Sequence, residues 1–543
     1  MIVGLAQINP TLGCFSSNKD KILQYIVSAR EKKCDLVIFP ECCLIGYHPF
    51  DLLERTELVD QQNKALKQII QQIPAGMGVL IGVLSKNSAK KGKPYFNSAV
   101  LLQKNRILKS FHKQLLPTED VFDEARFIEA GDLKNNFFKY KNKNFFVTIC
   151  EDIWAWPKKN GRSSYRTNPI TKVPRKKVDL VINLSASPYF LEKLKLRESN
   201  VLQTARYFKA PMAYVNLVGG QDEIIFDGQS FLVDSNGKKK LLANAFTEQL
   251  SVFDLASLKS EQRKTSRSNI EELKAALVLG IKDFVEKNKF PGVHLGLSGG
   301  IDSALVACLA VDAVGKDKVK TLALPGPYSS QLSLDLALKL AKNLEIEISD
   351  VPISDVYQSI LHALEDKIGL SDFGVVHENL QARIRGILLM AFANKTNSLL
   401  LTTGNKSELS TGYCTLYGDM CGGLAPIADL TKRQVYQLCD HYNKNFERIP
   451  KEIIDRAPSA ELRPGQKDQD SLPEYDLLDH SVQSIVQNFS KAKTKTDFWL
   501  VDRLLKTEFK RWQAPPILKV TAHSFGRGRR YPITHQFRIV LEK

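Results

Sequence analysis

One octapeptide constrains this chain more than any other feature. Gly296-Leu297-Ser298-Gly299-Gly300-Ile301-Asp302-Ser303 follows an apolar strand-like run, His294–Leu297, and opens an apolar helix-like run, Asp302–Val314. Small residues at such a turn let backbone N–H groups point at phosphate oxygens, and the start of the helix adds the positive end of its dipole. The serine hydroxyls can donate to phosphate, and Asp302 can hold Mg²⁺. No Gly-Lys-Ser/Thr follows, so the loop is not a Walker A loop. Further strand–turn–helix units come after it, Val319–Leu324 into Ser330–Leu344 and Leu399–Thr402 into Lys406–Thr411. This is the pattern of a doubly wound parallel sheet, Rossmann-like in its winding.

The 543 residues are too many for one such sheet. Before about Leu255 the chain carries its own set of apolar runs, at Val3–Ile8, Leu36–Phe39, Val79–Val83, Ala99–Leu102, Phe145–Ile149, Leu180–Leu184, Met212–Val218 and Ser230–Val233. Helix-like stretches lie between several of them. Ser17–Lys33 is one, with Ile22, Tyr25, Ile26 and Ala29 at helical spacing and Asn18 in reach as an N-cap. The reading is an α/β domain over 1–255, a polar linker over 256–268 and a second α/β domain over 269–543. Lys451–Tyr475, rich in Pro, Asp and Gly, reads as a surface loop.

With 43% apolar and 25% charged residues, the chain has ample material for large cores and is not a disordered or fibrous protein. No window is apolar enough to span a membrane. The N-terminus reads as a first strand and not as a signal peptide. Nine scattered cysteines with no Cys-x-x-Cys pair fit reduced thiols in a cytoplasm. The net charge of +17 fits a polyanionic partner, either nucleic acid or a nucleotide with several phosphates.

In the first half, Glu41 closely follows the strand-like run Leu36–Phe39, Lys113 sits in Phe111-His112-Lys113-Gln114-Leu115-Leu116-Pro117, and Cys150 follows Phe145–Ile149. A thiol, a carboxylate and an ammonium can serve as nucleophile, general base and oxyanion stabiliser, although each residue by itself is more often a core thiol or a solvated charge.

Taken in order, these residues resemble the Glu-Lys-Cys triad of the nitrilase, or carbon–nitrogen hydrolase, superfamily. Asn97-Ser98-Ala99, Phe122-Asp123-Glu124, Asn183-Leu184-Ser185-Ala186-Ser187-Pro188, Asn216 and Phe226-Asp227-Gly228-Gln229-Ser230 also match. The resemblance implies a four-layer αββα sandwich for the first domain. It also implies an attack by Cys150 on an amide carbonyl, with Glu41 as base, Lys113 on the oxyanion and Glu124 orienting Lys113. Ser187 and Lys193 match glutamine-contact positions. The tyrosine that glutamine-dependent relatives commonly carry after Leu-Pro is replaced here by Glu119.

The octapeptide resembles the pyrophosphate-binding loop of the ATP-pyrophosphatase family. His377-Glu378-Asn379-Leu380-Gln381-Ala382-Arg383, Thr402-Thr403-Gly404-Asn405-Lys406-Ser407-Glu408 and Gly412-Tyr413-Cys414-Thr415-Leu416-Tyr417-Gly418-Asp419 narrow the match to NAD synthetases. Glu508–Pro516 and Phe525–Ile533 fit as well. Together the halves are similar to the glutamine-dependent NAD synthetases over nearly the whole chain. That resemblance implies hydrolysis of L-glutamine in the first domain. In the second it implies amidation of deamido-NAD through an adenylate, with release of pyrophosphate and AMP. It places ATP on Gly296, Leu297, Ser298, Gly299, Gly300, Ile301, Asp302, Ser303 and Thr403. It places deamido-NAD on Asn379, Glu408 and Lys519, and Mg²⁺ on Asp302 and Glu408, so Glu408 carries two candidate roles. It further implies a homo-oligomer and an internal ammonia tunnel, with ATP plus a dinucleotide, and no nucleic acid, as partners for the basic excess. Two alternatives stand at this level: another amide-forming ATP-pyrophosphatase, or a tRNA-modifying or nucleic-acid-binding protein. The basic run Arg527-Gly528-Arg529-Arg530 fits a solvated tail or a subunit contact as well as a substrate role.

Overall fold

The structure is a computed structural model, and it describes residues 1–157, 163–174, 176–260, 267–370 and 372–537. The chain divides into two compact units, Met1–Arg267 and Ser268–Lys543. Residues 261–266 of the expected linker lie outside the described residues. Among the described residues no helix is long and apolar enough to cross a membrane.

The first unit is built on two six-stranded sheets. One runs Gln249–Asp254, Ile2–Gln7, Leu36–Ile38, Gly78–Lys86, Tyr95–Gln103, Arg106–His112, in that order across the sheet. The other runs Lys239–Leu242, Phe231–Val233, Met212–Asn216, Leu180–Ser185, Lys143–Ile149, Phe137–Tyr140. Each sheet has a parallel centre with antiparallel flanks.

Alternation along the strands divides their side chains between two cores. Val3, Leu5, Leu36, Ile38 and Leu80 face the second sheet and pack with Phe145, Val147, Leu180, Ile182 and Ala213. Ala6, Val37, Val79 and Ile81 face outward, against Ile22 and Ile26 of helix Phe15–Glu31 and Leu66 and Ile69 of helix Thr56–Gln72. Beyond the second sheet, Phe146, Val181 and Met212 pack on Val201 and Ala205 of helix Lys193–Phe208. The layers are therefore helix, sheet, sheet, helix, and strands covered on both faces read as continuous apolar runs.

Asn18 departs from its expected role. The helix begins at Phe15 after Cys14, so Asn18 lies inside its first turn. Its side chain is buried, donates to the carbonyls of Thr11 (2.8 Å) and Leu44 (3.0 Å) and accepts from the Thr11 amide (2.9 Å). It ties two loops together, and those bonds replace a cap.

The second unit holds a parallel four-stranded sheet in the order Glu347–Asp350, Val319–Ala323, Val293–Gly296, Leu399–Leu400. The chain steps outward from Val293–Gly296 through two strands and then returns to the other side of Val293–Gly296. The C-terminal end of that strand is thus the point where strand order reverses, the usual place for a ligand in an open α/β sheet. The helical C-terminal part has its own core, centred on Leu478, Val482, Val486 and Leu500.

Lys451–Tyr475 is more ordered than a surface loop. It contains a helix, Lys451–Asp455, and its Ile453, Gln466, Asp468 and Leu472 are buried. Glu461 accepts from Ser330 Oγ (2.9 Å) and Ser333 Oγ (2.8 Å) at the start of helix Gln331–Leu344, which pins the segment down.

Candidate active sites

In the first unit, three strand ends deliver three side chains to one buried place. Glu41 lies three residues after Leu36–Ile38, Lys113 directly follows Arg106–His112, and Cys150 directly follows Lys143–Ile149. Gly82 permits the close approach of the Glu41 turn, because a Cβ there would stand 2.3 Å from the Pro40 carbonyl and 2.6 Å from Glu41 Cα. Asp152 sets Cys150 against the Lys113 strand. One of its oxygens accepts from the Ile149 amide (2.8 Å), and the other accepts from the amides of Gln114 (2.9 Å) and Leu115 (3.0 Å). Cys150 itself has φ +42°, a left-handed conformation that a non-glycine residue adopts only where its surroundings enforce it.

Lys113 donates to Glu41 Oε1 (2.9 Å) and Glu124 Oε1 (2.6 Å), and all three side chains are fully buried. Asn97 Nδ2 joins the two carboxylates, at 2.7 Å from Glu41 and 3.3 Å from Glu124, and Tyr47 Oη donates to Glu124 at 2.7 Å. The Ala186 amide donates to Glu41 Oε2 at 2.7 Å.

Two buried carboxylates share one ammonium, so their proton affinities separate. Burial, and then the Glu124 charge, raise Glu41 above an ordinary glutamate despite Lys113. Glu124 is held below the ordinary value, because Lys113, His48 and the Tyr47 hydroxyl outweigh burial. Burial works to lower Lys113, but Glu124 and Glu41 hold it well above its usual value, so it stays charged. Burial and Glu41 push the Cys150 thiol well above its usual value. The resting nucleophile is therefore a thiol, with Glu41 acting on it as a neighbouring charge. Such a thiol needs a base within the site to become a nucleophile.

Ser187 is fixed by its amide to Asn216 Oδ1 (2.8 Å), and Lys193 lies over the rings of Trp154 (4.2 Å) and Phe190 (4.5 Å). Glu119 is exposed, and its charge helps push Glu151, beside the nucleophile position, up to about 7, with burial the larger cause. Sequence reasoning assigned no role to Tyr47, Asp152 or Arg197. Their partners Glu124, Gln114 and Asp227 lie 77, 38 and 30 residues away, and no local pattern marks those pairings.

In the second unit the octapeptide turns as its composition requires. Gly299 has φ +74°, and a Cβ on it would meet the Ser333 carbonyl at 2.2 Å. Ser298 Oγ accepts from the Gly300 amide (3.2 Å), and Ser303 Oγ donates to the Gly300 carbonyl (3.0 Å). Gly300 stands at the N-cap of Ile301–Val314, and Asp302 lies in the first turn.

Asp302 accepts from Asn405 Nδ2 (3.0 Å) and Lys432 Nζ (2.5 Å). Glu408 Oε1 lies 3.6 Å from the same ammonium, and its other oxygen accepts from the Asn405 amide at 3.2 Å. Burial and the Asp302 charge push Glu408 up to about 8. Two carboxylates thus converge on one buried cation, and Lys432 is a further residue to which the sequence assigned no role. Among the described residues no group of three or more His, Cys, Asp or Glu is arranged to hold a metal. A pair of carboxylates suits Mg²⁺, which takes one or two of them and completes its shell with water and phosphate oxygens.

Thr403 is half-buried beyond strand Leu399–Leu400. Asn379, on helix Val375–Thr396, accepts from Thr415 Oγ1 (2.8 Å). Lys519 is buried and donates to the carbonyls of Thr521 (2.8 Å) and Ala522 (2.6 Å). In the basic run, Arg529 is not a solvated tail residue. Its guanidinium lies over the rings of Tyr531 (4.4 Å) and Phe525 (5.4 Å).

Comparison with known proteins sets this architecture in its class. Residues 2–264 match the carbon–nitrogen hydrolase family and residues 273–514 the NAD synthase family. The chain is 44% identical to the glutamine-dependent NAD(+) synthetase of Synechocystis sp., over 98% of this chain and 99% of that one. It is 38% identical to that of Thermotoga maritima, over 99% of each. The structure of the Acinetobacter baumannii glutamine-dependent NAD+ synthetase in complex with adenosine diphosphate is similar over 98% of both chains, at 35% identity and a TM-score of 0.77. The chain belongs to the glutamine-dependent NAD(+) synthetase family.

Proposed function

We propose that this chain hydrolyses glutamine at Cys150 and uses the ammonia to amidate deamido-NAD, with ATP, at the loop 296–303. The observation that carries the reading is the presence of two chemically distinct sites on one chain. One is a dry Glu–Lys–Cys cluster, and the other a glycine-rich phosphate loop facing paired carboxylates.

In the first site Glu41 takes the Cys150 proton as sulfur attacks the glutamine carboxamide carbon. Lys113, charged at every working pH, faces the oxygen on which negative charge develops. Glu41 passes the proton to the leaving ammonia, then deprotonates the water that releases glutamate. Ser187 and Lys193 hold the amino-acid end of glutamine.

In the second site the amides and hydroxyls of Gly296–Ser303 hold ATP phosphates, together with Thr403. Asn379, Glu408 and Lys519 hold deamido-NAD. Its carboxylate attacks the α-phosphorus, and pyrophosphate leaves. Ammonia then attacks the acyl carbon, and AMP leaves with NAD as product. Mg²⁺ held by Asp302 and Glu408 would neutralise phosphate charge. Nine unpaired cysteines fit a reducing cytoplasm, and the family resemblance favours a homo-oligomer.

The test is NAD formation from deamido-NAD, ATP and Mg²⁺ with either glutamine or ammonium. Both donors should support it. Absence of NAD with both would overturn the reading and turn attention to other carboxylates.

The glutaminase half-reaction carries a pH signature. Glu41 works only when ionised, and its proton affinity is raised above the ordinary value of 4.5. Acidification should therefore switch off kcat/KM for glutamine along a limb centred above pH 4.5. A limb at or below 4.5 would show that Glu41 is not the base.

A further inference from the structure

Arg197 is among the largest fully buried side chains of the described residues, and the mechanism above does not use it. It sits in the first turns of helix Lys193–Phe208 with no exposure to solvent. Nη1 makes a double contact with Asp227, 2.7 Å to each carboxylate oxygen. Nη2 donates to the carbonyls of Ser187 (2.7 Å) and Pro188 (3.1 Å), and Nε donates to Ser187 Oγ (3.1 Å). Asn216 closes the same ring. Its Nδ2 donates to the Ser187 carbonyl (3.2 Å), and its Oδ1 accepts from the Ser187 amide (2.8 Å).

The segment held this way is the one whose preceding amide, Ala186 N–H, lies 2.7 Å from Glu41 Oε2. Glu41 Oε1 is already occupied by Lys113 and Asn97. The Ala186 amide is therefore the contact that fixes the free side of the base. We propose that the Arg197–Asp227 pair is a positioning device for Glu41: by clamping Ser187 and Pro188 it holds the Ala186 amide on the base and the Ser187 side chain at the substrate position. Neutralising Asp227 alone would require only a cation. The five-donor fork of arginine is required because three of its bonds go to the Ser187–Pro188 segment and not to the carboxylate.

This proposal rests on the glutaminase reading, and the test separates the two. Wild type with Cys150→Ala as blank establishes glutamine hydrolysis. Arg197→Lys, in the full chain, keeps the charge opposite Asp227 and loses the fork. Its glutamine-hydrolysis kcat should fall about 10- to 100-fold, by more than KM rises. Its acid limb should move to higher pH, because an amide hydrogen bond favours the Glu41 anion. The other groups that face Glu41, namely Lys113, Glu124, Cys42, Tyr47 and Cys150, are unchanged in the variant, so the shift reports the amide. Ammonium-driven NAD formation by the same preparation should stay within about twofold of wild type. Asp227→Asn should move the same readouts in the same direction.

A wild-type kcat and limb in Arg197→Lys would overturn the proposal. So would a proportional fall of both reactions, which would mark the pair as scaffold only.

Discussion

Replacing Cys150 with alanine should abolish NAD formation from glutamine, a fall of at least about a thousandfold, and leave ammonium-driven formation at the wild-type rate. The asymmetry follows from the placement of the nucleophile. Sγ is the only atom lost, Cys150 is 4% exposed, and Asp152 holds the turn through backbone amides that alanine retains. The left-handed φ of +42° is no harder for alanine than for cysteine. The cost to stability should therefore be about 1 kcal/mol, too little to unfold a domain with this core. Glu41 and Lys113 remain paired at 2.9 Å, but a carboxylate and an ammonium alone offer no covalent path through a thioester. The measurement is NAD formation with each donor on one preparation. A mutant that still works with glutamine would remove Cys150 from the mechanism. A mutant equally slow with both donors would place the cysteine in the fold and not in the chemistry.

What the sequence could show depended on whether the cause was local. Strand-like runs buried on both faces are apolar throughout, as at Leu36–Phe39, or nearly so, as at Leu180–Leu184 with Asn183 the one polar residue, and a layered α/β domain could be read from them. Strand Arg106–His112 escaped because only Phe111 in it is buried. Strand Gln249–Asp254 pairs with Ile2–Gln7 across almost the whole unit, a partnership that no window reveals. The same division runs through the sites. Glu41, Cys150 and the octapeptide were visible because each ends or follows an apolar strand, a position that offers side chains to a ligand. Lys432 was not visible, since its carboxylate partner Asp302 lies 130 residues away. Asn18 misled because capping was the nearest use for an asparagine near a helix start. Three bonds to Thr11 and Leu44 were a stronger use. Arg197 was not visible either, since its carboxylate partner Asp227 lies 30 residues away.

Asp302→Asn should stop NAD formation from both donors, by about a thousandfold, which is roughly 4 kcal/mol of transition-state stabilisation. The substitution keeps the shape of the side chain and its bond from Asn405 Nδ2, so the helix start should survive. It removes the charge that balances Lys432, which is 2% exposed and, among the described residues, has Glu408, at 3.6 Å, as its other ion-pair partner. Glu408 is pushed up to about 8 by burial and by Asp302; without the Asp302 charge it ionises more readily and takes the ammonium for itself. The variant is then left with one carboxylate already paired where two were shared, and a divalent cation gains less by entering. The Mg²⁺ concentration for half-maximal rate should rise as kcat falls. Alkylation of Cys150 by iodoacetamide at the wild-type rate would certify that the first unit is intact. An ammonium-driven rate within tenfold of wild type at ordinary Mg²⁺ would show that Asp302 does not hold the metal, and would leave Asn405 and Lys432 to organise the phosphates without it.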